Sequence, residues 1–440
     1  FKRLQGFEVF FNFGTDEHGL KIYRKAVEAS KTPQAYTDEY AAKFNALKEA
    51  LNLSYNNFIR TTDDYHIKAA QEFWQRCNAN GDIYKKLYKI RYCVGCELEK
   101  TDSELEKGRC PLHPNLEIEI FEEENYFFKF SKYRERLLEF YKENANFVVP
   151  ESKFEEIKVF IDSGLQDFSI SRLKEKMPWG IDVPGDPKHV MFVWFDALVS
   201  YISAVGWPDD RQKFEKWWPV TQFAGKDNLR QQSAIWQAML MSAGLSNSKQ
   251  IFIHGFITIA GQKISKSLGN TINPIEFARK YRTDPLRYFL LAKIHPFEDS
   301  DFSVERFKEA YNADLANGLG NLVARVAKLC ESSGSKFPKE EVSLYKGVGN
   351  FLNEFRFDLA TKFIWEKISQ SDHLIDNQKP WELGGDGLEK VLKKLVSEIR
   401  NIAYNLRPFL PETSDKIAKQ FSGPKVKSVK PLFPRLQRLR

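Results

Sequence analysis

Cysteine is scarce in this chain: five residues among 440, an odd number. That count argues against a secreted disulfide scaffold, which needs paired cysteines at high density. No uncharged apolar run approaches the ~18 residues of a membrane span, and no stretch near Phe1 has the layout of a secretory signal. Internal repeats at solenoid periods are absent, and so is the phosphate-binding pattern G-x-x-x-x-G-K-[ST]. The charge balance is mild, 66 Lys and Arg against 59 Asp and Glu, for a net +7. A nucleic-acid partner is therefore permitted without being required. Hydrophobic residues at 42% and aromatics at 14% exclude a disordered chain, and the length allows about two to four domains.

The segment Phe7–Phe13 reads as a buried strand between Gly6 and Gly14, with Thr15-Asp16-Glu17-His18-Gly19 at its end. Helical periodicity follows from Leu20 to Leu51 and from Asp63 to Ala79. Strand patterns return at His189–Trp194, Val220–Ala224 and Gln250–Ile259, with helix after the first two and a loop, Gly261–Gly269, after the third. Strand–loop–helix order of this kind predicts a parallel α/β layer. Between Tyr84 and Phe168 the composition changes, as expected of an inserted module. From Asp284 to the end the pattern is helical, broken at Ser332–Pro338 and Gly384–Gly387.

Three constellations carry chemistry. Cys93 and Cys96, then Cys110 and His113, supply two short-spaced ligand pairs, the four tetrahedral donors zinc prefers. A full set with no open position predicts a structural ion. Cys77 and Cys330 read as small buried apolar residues. Gly261 to Asn270 carries Lys263, Ser265, Lys266 and Ser267, which suits either a solvated turn or phosphate contacts. Trp194 and Tyr201, seven residues apart, suit either core packing or the wall of an apolar pocket with polar handles. Asp227 reads as a helix N-cap in Gly225-Lys226-Asp227, and Asp16 with His18 lies where α/β sheets bind ligands.

Taken together and in order, Gly14–Gly19, the Cys93/Cys96/Cys110/His113 knuckle, Val193–Ala197 with Tyr201, Gly225–Asp227 and Lys263-Ile264-Ser265-Lys266-Ser267 resemble the methionyl-tRNA synthetases. The resemblance implies a split Rossmann-type parallel sheet, a zinc-knuckle insertion and an all-α anticodon-binding bundle. It sets expected boundaries at 1–84, 85–168, 169–258, 259–305 and 306–440. It implies ATP-dependent activation of methionine with Mg²⁺, followed by transfer to the 3′ end of tRNA(Met). Asp16 would hold the methionine ammonium. Trp194, Ala197, Leu198, Tyr201 and Gln232 would line its side-chain site. Lys263, Ser265 and Lys266 would steady the phosphates, with Gly225 and Asp227 at the nucleotide. Arg172 matches a family element near the active site. Asn321, Arg325 and Trp381 would read the anticodon. A cytoplasmic monomer is expected.

This chain departs from the family pattern at Ile264 (usually Met), Gln232 (often His) and Leu198 (often Pro). The family's His-x-Gly-His motif is not found, and is expected upstream of Phe1. Leucine, isoleucine and valine relatives carry a large editing insertion, for which the roughly 85 residues between the α/β halves are too few. A cysteine-type enzyme would want an open zinc position. A non-catalytic zinc-containing RNA-binding relative would not need the lysine loop or the pocket aromatics.

Overall fold

The structure, a computed structural model, describes residues 1–100, 104–264 and 271–437, without the side chains of Ile90, Glu99, Phe121 and Lys263. It divides into two compact units, one of Phe10–Ala46 with Ser54–Ile253, the other of Phe1–Val9, Leu47–Leu53 and His254–Arg440.

In the first unit the opening strand is shorter and later than its aromatic pattern predicts. It spans Asn12–Thr15 and runs parallel to Asn57–Arg60, Phe13 opposite Phe58. The reason lies at Phe11, whose N–H donates to the Asn56 side chain at 2.7 Å. Phe7 and Phe11 are exposed rather than buried. Gly14 is required here, because a Cβ would come within 2.1 Å of the Ile59 carbonyl oxygen. A second parallel pair joins Val148–Val149 to Gln250–His254, which Thr221–Gly225 flanks on its other side.

Two further strand expectations are corrected. The run 189–194 divides into the strand Asp186–Met191 and a helix, Val193–Ser203, so Trp194 is helical. The Phe192 carbonyl already accepts from the N–H groups of Phe195 and Asp196, which turns the chain. The run 250–259 breaks into Gln250–His254 and Ile257–Ile259. Gly255 stands between them, where a Cβ would lie 2.2 Å from the backbone of Glu298.

Helix Asp64–Ala79 buries His66, Ala69, Ala70, Phe73, Trp74 and Cys77. Phe73 stacks on Trp236 at 5.5 Å, and both Phe73 and Trp74 meet Phe195 edge-on. Burying each such ring contributes about 1.5–3 kcal/mol, so this seam fixes the two helices that bear His66 and Asp196. The inserted module is an antiparallel ribbon, Ile83–Cys93 against Glu119–Phe128, with Leu98–Glu99 on its edge. The second unit is mainly a helical bundle with its own core, including Phe289, Phe307, Leu322, Ile364, Leu395 and Ile402. Among the described residues no helix is long and apolar enough to cross a membrane.

Candidate active site and metal cluster

The loop leaving the first strand is held rigidly. Glu17, 2% exposed, takes two bonds from the Arg60 guanidinium at 2.8 and 2.9 Å. Its backbone N–H donates to Thr61 Oγ1 at 2.9 Å. Trp179 closes the loop by donating its Nε1–H to the Glu17 carbonyl at 2.6 Å, and its carbonyl accepts from Gly19 N–H at 3.1 Å. Bidentate charge-assisted pairing of this kind fixes direction as well as position.

Between these anchors stand Asp16 and His18. Buried Asp196 lies 2.8 Å from His18 Nδ1 and 3.0 Å from His66 Nε2, and His66 Nδ1 is 2.9 Å from Ser203 Oγ. Burial pushes the Asp196 carboxyl up, but the two imidazoles prevail and hold it below the ordinary carboxylate range. Asp16 goes the other way. Its side chain is reached by solvent, yet it lies deep among protein atoms that replace most of the surrounding water. That environment, reinforced by the Asp196 charge and opposed by His66 and His18, raises its pKa to about 6. Water access tempers the effect without changing its direction. The Asp16 charge also acts on Tyr201, whose pKa is raised chiefly by burial and then by Asp16.

Helix Val193–Ser203 presents Trp194, Ala197, Leu198 and Tyr201 along its length, with Ala197 and Leu198 buried. Trp194 packs against the cluster formed by Leu20, Tyr92, Val190 and Val193, and its buried Nε1 has no hydrogen-bond partner among the described residues. Gln232 lies in a π-helical turn, Gln231–Ile235, and donates to the Tyr201 oxygen at 2.8 Å. Gly225 ends the strand Thr221–Gly225, and exposed Asp227 occupies the following 3₁₀ turn, Lys226–Asn228. The Asp227 side chain does not cap that turn, whose N-cap position is Gly225. Arg172 is buried and donates to Ser169 Oγ at 2.6 Å and to the Ser171 carbonyl at 2.7 Å.

The four sulfur and imidazole ligands converge. Cys93 Sγ, Cys96 Sγ, Cys110 Sγ and His113 Nδ1 all lie within 4.8 Å of one another. Cys96 Sγ is 3.4 Å from Cys110 Sγ and 3.2 Å from His113 Nδ1, while Cys93 Sγ is 3.8 Å from that nitrogen. Tetrahedral zinc, with bonds of about 2.0–2.3 Å, needs ligand separations of about 3.5–3.8 Å, so the donor set fits such an ion. Gly95 makes room for the imidazole, since a Cβ would meet the His113 ring at 2.5 Å.

Sequence reasoning missed several participants. Glu97, next to Cys96, has a left-handed backbone (φ 55°) and a buried Oε1 with no hydrogen-bond partner among the described residues. That oxygen would lie 2.6 Å from a Cβ on Gly19, so the turn that carries Cys96 touches the Asp16 loop. His66 and Ser203 gave no sequence signal, because helical residues of these types are common. Asp196 was visible in its motif, but not its role between two histidines.

In the second unit Lys263 lies on the strand Gln262–Lys263, paired with Thr258, whereas Ser265 and Lys266 fall outside the described residues. Asn321 and Arg325 sit one turn apart on helix Asn321–Ser333. Arg325 pairs with Asp376 at 2.9 Å and Asp372 at 3.4 Å. Trp381 projects from the turn Pro380–Glu382, 58% exposed, five residues beyond Asp376. An indole that exposed does not anchor the helix end by burial.

The family model for class I tRNA synthetases (M) matches residues 1–119 and 114–327. The chain is 40% identical over 447 residues to a methionine–tRNA ligase of Thermotoga maritima, covering 96% of this chain and 70% of that protein. It is 41% identical over 445 residues to the methionine–tRNA ligase of a Nostoc species, covering 96% and 84%. The structure is similar to that of the Mycobacterium tuberculosis methionyl-tRNA synthetase bound by methionyl-adenylate, with a TM-score of 0.90, 32% identity and coverage of 99% and 94%.

Proposed function

This chain belongs to the methionyl-tRNA synthetase family of class I tRNA synthetases, and we propose how its residues share out the work of a methionine–tRNA ligase. The enzyme activates methionine with ATP and joins it to tRNA. Asp16 receives the methionine ammonium. A carboxylate surrounded by protein atoms makes a stronger partner for a cation than one in bulk water. Its raised pKa suits an anion awaiting its counter-charge, and the likeness of the whole chain to a methionyl-tRNA synthetase bound by methionyl-adenylate carries the reading. The pair His18 and His66 holds Asp196 ionised behind it, so the loop keeps its shape while Asp16 changes partners.

Trp194, Ala197, Leu198, Tyr201 and Gln232 line the side-chain site, where aromatic–sulfur contact favours a thioether. The substrate carboxylate attacks the α-phosphate, so no side-chain nucleophile is needed. Lys263, Ser265 and Lys266 take up charge on the departing pyrophosphate, and Gly225 with Asp227 holds the nucleotide. Mg²⁺ bound with ATP would supply further positive charge toward the phosphates. Cys93, Cys96, Cys110 and His113 bind a structural zinc ion. Residues 306–440 bind the anticodon arm of tRNA(Met), with Trp381 stacking on an unpaired base and Asn321 and Arg325 hydrogen-bonding beside it. The protein works as a monomer in the cytoplasm.

The test is amino-acid-dependent ATP–pyrophosphate exchange by the complete encoded protein. Exchange driven by methionine is expected. Exchange driven by another amino acid, or none, overturns the reading.

A further inference from the structure

Behind Tyr201 runs a chain of buried amides of which the steps above use only Gln232, its last member. It starts at a fixed point, the backbone N–H of Ser248, which donates to Gln237 Oε1 at 3.0 Å; Asn247 Nδ2 donates to the same oxygen at 3.1 Å. A backbone N–H can only donate, so the amide oxygen of Gln237 must face it and the NH₂ must face away. Gln237 Nε2 accordingly donates to Ser248 Oγ at 3.2 Å and to the Gln232 carbonyl at 2.8 Å. The Ser248 hydroxyl passes its own proton to Gln222 Oε1 at 2.6 Å. That orients Gln222 Nε2 toward Gln232 Oε1 at 3.2 Å, and Gln232 Nε2 toward the Tyr201 oxygen at 2.8 Å. Gln222, Gln232, Gln237 and Ser248 are at most 4% exposed, so bulk water does not compete for these bonds. With the amides turned this way, every donor along the chain meets an acceptor.

The relay therefore ends on Tyr201 as an acceptor, and the phenolic proton is not consumed by it. The geometry points to Gln222, Gln237 and Ser248 as positioning residues that reserve the Tyr201 O–H as a donor for the ligand. The ligand group that gains from such a donor is an acceptor within an otherwise apolar side chain, the sulfur of a thioether. A methylene of the same shape gains nothing. The relay would thus set discrimination between methionine and its isostere norleucine, in which CH₂ replaces sulfur. This inference rests on the reading of Tyr201 as a wall of the methionine site.

The experiment compares kcat/KM for methionine and norleucine in pyrophosphate exchange, using the complete encoded protein. Gln222→Glu can still accept from Ser248 but cannot donate to Gln232. The Gln222 side chain also reaches the Tyr201 oxygen, so the introduced carboxylate accepts from Gln232 and from the phenol itself, drawing the phenolic proton out of the pocket. The methionine-over-norleucine ratio should fall about three- to tenfold, the net worth of one hydrogen bond, and Tyr201→Phe should lower it by a similar factor. The double variant should lose no more than either alone, because both remove the same bond. If Gln222→Glu does not fold, Ser248→Ala, which frees Gln222 to turn, carries the same expectation. An unchanged ratio in the folded relay variant, or in Tyr201→Phe, overturns the proposal. Absence of methionine-dependent exchange in the unsubstituted protein overturns the underlying reading and the proposal with it.

Discussion

Asp196 accepts a hydrogen bond from His18 Nδ1 at 2.8 Å across 178 positions of sequence, and its other oxygen faces His66 at 3.0 Å. One carboxylate thereby joins the loop after the first strand to two core helices. Asn at this position could accept from one imidazole but would present an NH₂ to the other. Asp196→Asn should cost about 1–3 kcal/mol of stability, the penalty of one mismatched buried polar group. It should also bring the Asp16 pKa down, because a like charge disappears. Thermal unfolding and an NMR titration of Asp16 measure both, and an Asp16 titration identical to that of the parent protein would refute the coupling.

The Asp16 pKa of about 6 lies above the ordinary value of 3.8, so its protonated form is favoured by folding. The sign follows directly. Its contribution to stability is full below the unfolded value, about 3.9, and is lost as pH rises through 6. Ammonium binding needs the ionised form, which dominates only above pH 6. The methionine KM should rise by up to about tenfold per pH unit below 6, with the ATP KM little changed. Asp16→Asn should raise the methionine KM at pH 7.5, abolish the pH step and make the folded protein more stable there. A methionine KM that stays flat down to pH 5 contradicts the assignment.

Metal removal is expected to loosen the knuckle before the rest of the fold. Cys96→Ser, or a strong chelator, should release about one zinc ion per chain and speed amide exchange within 92–113. Elemental analysis and hydrogen exchange measure these independently of activity. Retention of full metal in Cys96→Ser would remove Cys96 from the ligand set.

Lys266→Ala should slow single-turnover adenylate formation by roughly 10²-fold or more while leaving methionine affinity near the parent value. The lysine is assigned to charge that grows only as pyrophosphate leaves. An unaltered single-turnover rate defeats that assignment.

Trp381→Ala should lower kcat/KM for tRNA aminoacylation by about 10- to 100-fold, the worth of one stacked base, and spare pyrophosphate exchange. The indole is 58% exposed, so its loss should cost little stability. Equal losses in both assays would place Trp381 in the fold rather than at the RNA.

The Cys/His cluster was legible because its chemistry is local in sequence. Cys93 and Cys96, with Cys110 and His113, announce a metal through spacing alone, and the four ligand atoms do converge. The aromatic run at Phe7–Phe13 misled, since hydrophobicity marks a strand only where a partner backbone arrives, and the partner reaches Asn12–Thr15. Val193-Trp194 misled in the same way: a β-rich pair became the first turn of a helix once the Phe192 carbonyl captured the following N–H groups.

By itself the sequence determined the donor inventory: which thiols, imidazole, lysines and carboxylate exist, and at what spacing. Only the tertiary structure decided that His18 and His66 share one carboxylate, that Glu97 reaches Gly19 from beside Cys96, and that three glutamines line up behind Tyr201. Those relations join elements tens to hundreds of residues apart. Their geometry is set by how helices pack and how each buried amide must be satisfied, which no local pattern encodes.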